Sequence, residues 1–267
     1  RACNERHVRR SAPVLRDLCL ESRKMFVDWA DITGNAFALK TEGLLNLCQT
    51  QEGLDHEIHG LAALANELGI EAQVLDAAQT AALEPGARLA VVGSVYFPID
   101  AHITPRRLMA ALPALLRDMG VKFSWNTSIY GWRAEGGRIA GVSTTAGDLF
   151  ADEYVLTGGS WSPAMVAGLG LRLPMQAGKG YSLTIEKPRF QLTKSLILTE
   201  RRVAVTPMGE TLRFGGTMEI SGHSDNVRPE RVEQIIAAAR AFFPEITAAD
   251  FAGLKPWFGY RPVTPDG

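Results

Sequence analysis

No stretch of this 267-residue chain is apolar for long enough to cross a bilayer. The longest, Leu89 to Ile99, runs for about ten residues against the ~20 of a spanning helix, and Gly93 and Pro98 interrupt it. A signal-peptide pattern is missing too. Net charge is almost absent: 28 basic residues face 29 acidic ones, so the chain carries no electrostatic footprint of a nucleic-acid binder. Arg1, Arg6, Arg9 and Arg10 form the one basic cluster, which reads as the solvated start of a helix. Cysteine is scarce. Cys3, Cys19 and Cys48 make no CxxC pair, and an odd count of three argues against a disulfide framework and for a reducing, cytoplasmic setting. No Ser/His/Asp or Cys/His set stands out, there is no GxGxxG loop, and the first residue is not Met. His56 and His59 share a helical face with Glu52, but no further ligand cluster lies near them, so no metal is assigned.

What is present is the composition of an ordinary globular chain. At 46% hydrophobic and 21% charged residues, it has apolar material for one large core or two smaller ones. Ser11 to Ala30 reads as a helix with Ser11 as N-cap and Pro13 near the first turn. Strand signals follow around Thr41, Glu42 and Gly43. Gln51 to Leu68 is a second amphipathic helix closed by Gly69. Asp76 to Leu83 reads as a short helix and Val91 to Phe97 as a buried strand. Thr104 and Pro105 open the next helix, which Pro113 should kink and Gly120 ends. From Val121 to Leu156 the pattern is all strand: residues 121–125, Ile129 to Ala134, Arg138 to Thr144, and a last strand ending at Leu156. Val203 to Thr206 and Thr211 to Gly215 pair as a hairpin around Met208 and Gly209. Pro229 starts a helix that Pro244 stops, and Leu254 to Val263 is the final strand.

The stretch from Asp152 to Thr184 organises the rest. Tyr154, Val155 and Leu156 read as a strand that stops at Gly158 and Gly159, after which Ser160 and Pro163 mark a helix start. A glycine turn of this kind lets backbone approach a ligand closely and aims helix amides at it, although glycine needed only for chain geometry gives the same pattern. Gly178-Lys179-Gly180-Tyr181 opens a further strand. Near the end, Arg261 sits among Trp257, Phe258 and Tyr260. A guanidinium there offers a planar fork to a carboxylate; an arginine satisfied by backbone carbonyls would look the same in sequence.

Taken in order, GGSWSP at 158–163, LPMQAGKGYS at 173–182 and GYRPVTPDG at 259–267 resemble the FAD-dependent D-amino-acid oxidases and dehydrogenases. The segments 1–17, 96–108 and 202–220 fall where the small-subunit type of bacterial D-amino-acid dehydrogenase has comparable stretches. The resemblance implies an α/β fold with an α+β substrate part: a Rossmann-like FAD-binding sheet with a β-meander crossover, and a mixed or antiparallel sheet for substrate. It places 1–35, 101–171 and 259–267 in a partial FAD-binding domain, and 36–100 and 172–258 in a substrate domain. It also implies segments missing at both ends, including the strand and GxGxxG loop that bind the ADP part of FAD.

The implied activity is hydride transfer from Cα of a D-amino acid to flavin N5, giving an imino acid that hydrolyses to a 2-oxo acid and ammonia. Other activities on the same scaffold are a secondary-amine oxidase for sarcosine, glycine or proline-type substrates, and a flavoprotein-like subunit without catalysis. By resemblance, FAD contacts fall on Thr127, Ser128, Ile129, Thr157, Gly158, Gly159, Ser160, Trp161, Gly180 and Gly267. Arg261 would hold the substrate carboxylate, with Tyr260 and Arg201 lining the pocket and Lys179, Tyr181 and His102 near the flavin ring. Arg201 and Arg202 stand where the family often has a tyrosine, which leaves substrate identity open. The implied electron acceptor is a quinone or oxygen, peripheral contact with the inner face of the cell membrane fits a quinone, and oligomeric state is left open.

Overall fold

The structure, a computed structural model, describes residues 4–265, so Cys3 and Gly267 lie outside the described residues. Helix α1 spans Glu5–Thr33, six residues earlier than Ser11 predicts. Asn4 is the cap: its side chain accepts the His7 N–H at 2.9 Å, which leaves Pro13 inside the helix. Gly34, at φ 60°, ends it. Strand β1 (Leu44–Cys48) begins only after Gly43, whose φ of +84° breaks the extended run expected around Thr41. Helices α2 (Gln51–Glu57) and α3 (Ala63–Glu67) are joined by one π turn, Ile58–Ala62, and together make the predicted second helix. Then come β2 (Gln73–Asp76), α4 (Ala77–Leu83) with an Asp76/Gln79 capping box, β3 (Gly93–Phe97) and α5 (Pro105–Asp118), which contains Pro113.

The region read as all strand is partly so. Strands β4 (Ile129–Glu135), β5 (Arg138–Thr144) and β6 (Gly147–Leu149) form an antiparallel meander in that order. Residues 121–125 and Tyr154 to Leu156 are not strands. A strand needs a ladder partner, and neither segment pairs with a neighbour among the described residues; Val155 is 86% exposed. Phe123 and Trp125 stack instead, with centroids 5.1 Å apart. The predicted strand, turn and helix at Gly158 are therefore an unpaired segment, a 3-10 turn at Gly159–Trp161 and a helix α6 of six residues, Ser162–Ala167.

Strands β7 (Gln176–Ile185), β8 (Ser195–Leu198), β9 (Val203–Met208), β10 (Thr211–Ile220) and β11 (Trp257–Val263) complete the chain with helix α7 (Pro229–Phe242). Eight strands form one mixed sheet in the order β11-β7-β10-β9-β8-β1-β3-β2. The β9–β10 hairpin turns at Gly209 (φ 71°), as its sequence predicts. Against one face of this sheet α7 packs Ile235, Ala238, Ala239 and Phe242, which join Leu45, Leu47, Leu196, Leu198, Val205 and Phe214 in the main core. Each such Leu or Phe contributes ~1.5–3 kcal/mol by leaving water. Glu84 is fully buried and its carboxylate accepts the Thr193 and Lys194 amides at 2.7 and 3.0 Å, tying the turn after α4 to the start of β8.

Two compact units result. The first holds the chain up to Ala114, Gly180–Met218 and Asn226–Phe258; the second holds Leu115–Lys179, Glu219–Asp225 and the chain from Gly259 on. No helix among the described residues is long and apolar enough to cross a membrane.

Candidate functional site

Side chains alternate between the two faces of a strand. In the first unit, one set from the central strands is core: Tyr181, Leu183 and Ile185, Leu196 and Leu198, Val203 and Val205, Leu212 and Phe214. The other set is small or polar: Gly180, Ser182 and Thr184 on β7, Ser195 and Ile197 on β8, Ala204 and Thr206 on β9, Arg213, Gly215 and Thr217 on β10. Register sets Arg213 beside Thr206, and Gly215 beside Ala204, which in turn faces Ile197. All but Ser182 are only half-buried, where the core set is buried throughout. None of these side chains is acidic.

Two features set this face apart. A Cβ on Gly215 would come no closer than 4.0 Å to anything, and one on Gly180 would meet only the Thr217 carbonyl at 3.8 Å. Neither glycine has a positive φ. Internal packing therefore does not demand glycine at either place, and what the missing side chains provide is room for something to approach the backbone. The neighbouring Gly216 is different, since its Cβ would strike Val203 Cγ2 at 2.7 Å on the core face. Secondly, Ser195 Oγ and Thr217 Oγ1 are shut from solvent without a hydrogen-bond partner. An unmet buried hydroxyl costs about 1–3 kcal/mol. Arg213 adds fixed positive charge, its guanidinium lying 5.0 Å from the Trp257 ring centroid.

The second unit carries an aromatic cluster in which Trp161 and Tyr260 were singled out from sequence and His223 was not. Trp161 stacks on His223 with centroids 4.6 Å apart, and Tyr260 meets both edge-on at 5.6 and 5.1 Å. Ser160, 5% exposed, places its hydroxyl 3.0 Å from His223 Nε2. Ser160, Trp161, Gln176, Ile220 and His223 line a cavity of about 520 Å³. The turn that carries His223 is held from below. Lys179, fully buried, donates to the Ser224 carbonyl at 2.5 Å and lies 3.8 Å from the buried Glu219 carboxylate. The Tyr260 hydroxyl accepts the Ser224 amide at 3.0 Å and donates to Asp225 Oδ1 at 3.2 Å. A short polar run, Ser221 to Asn226, was the available signal, but nothing local ties it to a tryptophan some sixty positions earlier.

The residues singled out from sequence fall in several settings. Arg261 is exposed and makes no hydrogen bond or ion pair with the described residues, so its donors remain available to a ligand. Alternation puts it on the side of β11 opposite Tyr260. Tyr181 faces the core rather than the open face, its hydroxyl 3.4 Å from the Asn226 carbonyl. Arg201 is exposed on the 3-10 turn Thr199–Arg201. His102 pairs with Lys40 in an isolated bridge; burial and the Lys40 charge lower its pKa, and its Nδ1 has no partner. Ser128 exchanges both backbone hydrogen bonds with Thr145, through its amide to the hydroxyl and its carbonyl to the amide, each at 3.0 Å. Thr127 donates to the Trp125 carbonyl at 3.1 Å. Gly159, at φ +55°, has open space where a Cβ would be, whereas a Cβ on Gly158 would meet Ser162 Oγ at 3.2 Å. Burial raises the Cys48 thiol to about 11, which makes it unreactive.

The chain is 33% identical over 270 residues to a D-amino acid dehydrogenase of Granulibacter bethesdensis, an alignment covering 98% of this chain and 63% of that one. It is 35% identical over 251 residues to a D-amino acid dehydrogenase of Cereibacter sphaeroides, covering 92% and 57%. It thus spans about three fifths of the length of these relatives. The fold is that of a glycine oxidase from Bacillus cereus, with a TM-score of 0.80 at 24% identity over 93% of this chain and 68% of that one. An L-proline dehydrogenase from P. horikoshii matches with a TM-score of 0.78 at 19% identity, over 92% and 66%. The profile of the DAO family, described as FAD dependent oxidoreductase, matches residues 4–267, and the chain is a member of that family.

Proposed function

We propose that the protein is an FAD-dependent enzyme oxidising D-amino acids to imino acids, which water converts to 2-oxo acids and ammonia. The observation that supports this reading is the open sheet face, with bare backbone at Gly180 and Gly215 and no acidic side chain among the residues named above on β7 to β10. The names of the dehydrogenase relatives support the substrate class. FAD, when bound, supplies the two-electron acceptor for the hydride leaving the substrate Cα. The protein's part is to bind, orient and dry the reactants.

Within this reading, Thr157 to Trp161 and Thr127 to Ile129 are the segments that hold the cofactor. The open left-handed turn at Gly159 and the adjoining cavity support that role. Arg261 takes the substrate carboxylate, supported by its unoccupied guanidinium. Lys179 and Tyr181, buried and engaged, position backbone and do not meet the substrate. Residues 36–100 and 172–258 form the substrate part and 1–35, 101–171 and 259–267 the cofactor part, with a quinone or oxygen as final acceptor.

The test uses the full-length protein with its flavin band near about 450 nm. D-amino acids should bleach that band and turn over with a quinone-like dye or oxygen, and Arg261→Ala should raise KM more than about tenfold with flavin still bound. Turnover only of N-methyl or cyclic amines would replace this reading with a secondary-amine oxidase. Absence of a flavin band would point to a non-catalytic subunit.

A further inference from the structure

Among the open-face side chains of residues 180–184, 195–197, 204–206 and 213–217, Arg213 alone is charged. Its guanidinium lies 5.0 Å from the centroid of the Trp257 ring, and both residues belong to the first unit. The contact reaches from β10 over β7 to β11, since the sheet order there is β11-β7-β10. Trp257 is 59% exposed and Arg213 half-buried, so the cation sits at an accessible surface with an apolar plate beside it. Two residues further along β10, on the same face, is Gly215, about 6.7 Å away at the usual strand rise. A Cβ there would come no closer than 4.0 Å to any atom. Bare backbone and a cation are thus one pleat apart, with Ala204 and Thr206 beside them across the hairpin.

An amino-acid substrate on this face has a side chain to be accommodated, and the chemistry beside Gly215 is selective about its tip. A short aliphatic stem ending in a carboxylate matches an indole next to a guanidinium: methylenes lie along the ring and the two oxygens meet the N–H fork. A neutral tip of the same size takes water from the guanidinium and returns weaker hydrogen bonds. A cationic tip is repelled.

We propose that Arg213 is a specificity-determining residue that selects D-amino acids with a side-chain carboxylate, those of glutamate length above all, and that Trp257 is the apolar wall for their methylenes. This rests on the amino-acid reading above and names the substrate class within it. The role is separate from that of Arg261, which takes the α-carboxylate common to every amino acid.

The full-length enzyme is assayed with D-glutamate and D-glutamine, which match in size and differ by one charge. In the wild type, kcat/KM for D-glutamate should exceed that for D-glutamine by about 10–100-fold, and the ratio should shrink as salt is raised. Arg213→Met should bring the ratio to within about threefold of one; being a ratio, it cancels any general loss of activity. Arg213→Lys keeps the charge without the planar fork and should retain an intermediate preference. Should the Met variant fail to fold, the wild-type and Lys ratios still decide. A wild-type ratio near one would overturn the proposal, as would a preference that survives undiminished in Arg213→Met. Turnover of neutral D-amino acids without an acidic preference sinks this proposal and leaves the amino-acid reading standing, whereas no turnover of any D-amino acid sinks both.

Discussion

Gly215→Val should reduce kcat/KM for the amino-acid substrate by more than about 100-fold, or ~2.7 kcal/mol of transition-state stabilisation, and leave the melting temperature nearly unchanged. The protein has space for the new side chain, because the nearest atom to its Cβ is Ser182 Cβ at 4.0 Å, and valine suits an extended strand. The two methyl groups beyond that Cβ would stand on the open face. Gly216→Ala is the matched control with the opposite signature. Its single methyl strikes Val203 Cγ2 at 2.7 Å and approaches Ile235 Cγ1 at 3.3 Å, an overpacking that costs roughly 1–3 kcal/mol of stability. Adjacent glycines would thus separate ligand access from core packing. The check is a thermal melt and a steady-state assay on both variants. Equal stability losses in the pair would show that Gly215 is also a packing residue.

Lys179→Met should cost about 3–5 kcal/mol in stability, the usual penalty when one member of a buried ion pair is deleted. The ammonium is fully buried between the Glu219 carboxylate and the Ser224 carbonyl, so its removal strips a cation from an acidic group that is itself 8% exposed. The turn bearing His223 loses its anchor at the same time, although Tyr260 still holds the Ser224 amide. Lys179→Met combined with Glu219→Leu should recover much of the loss, because the desolvation cost then vanishes with both charges. Urea unfolding of the single and double variants measures this. A single-variant loss below about 1 kcal/mol would mean that the pair is solvated and not the anchor of the turn.

Much of the fold was readable in the chain. Local chemistry decided the β9–β10 hairpin at Gly209, the α7 start at Pro229, the Asp76 cap and the two-stranded core of the meander. Failures came where a distant partner decides the outcome. Residues 121–125 and Tyr154 to Leu156 have strand composition, but composition cannot show whether a neighbour is there to pair with. The start of α1 moved because Asn4 competed with Ser11 and made the cap bond first.

The site was legible in parts. Arg261 and the Gly158 to Trp161 turn announce themselves through residue type and order. The open face does not, because Gly215, Thr217 and Arg213 acquire meaning only when period-2 alternation is fixed by the register with β9. Lys179 and Tyr181 looked like ligand contacts from their place beside Gly180. Burial shows one tied to Ser224 and the other turned into the core. His223 needed the folded chain to find Trp161.

The most direct measurement of whether the open sheet face is the ligand floor is hydrogen exchange on the full-length, flavin-loaded protein with and without a non-reacting carboxylate analogue of the substrate. Slower exchange is expected in peptides covering residues 180–184, 204–206 and 213–217, with peptides from β2 unchanged. Unaltered exchange across those three segments, together with protection elsewhere in the first unit, would contradict it.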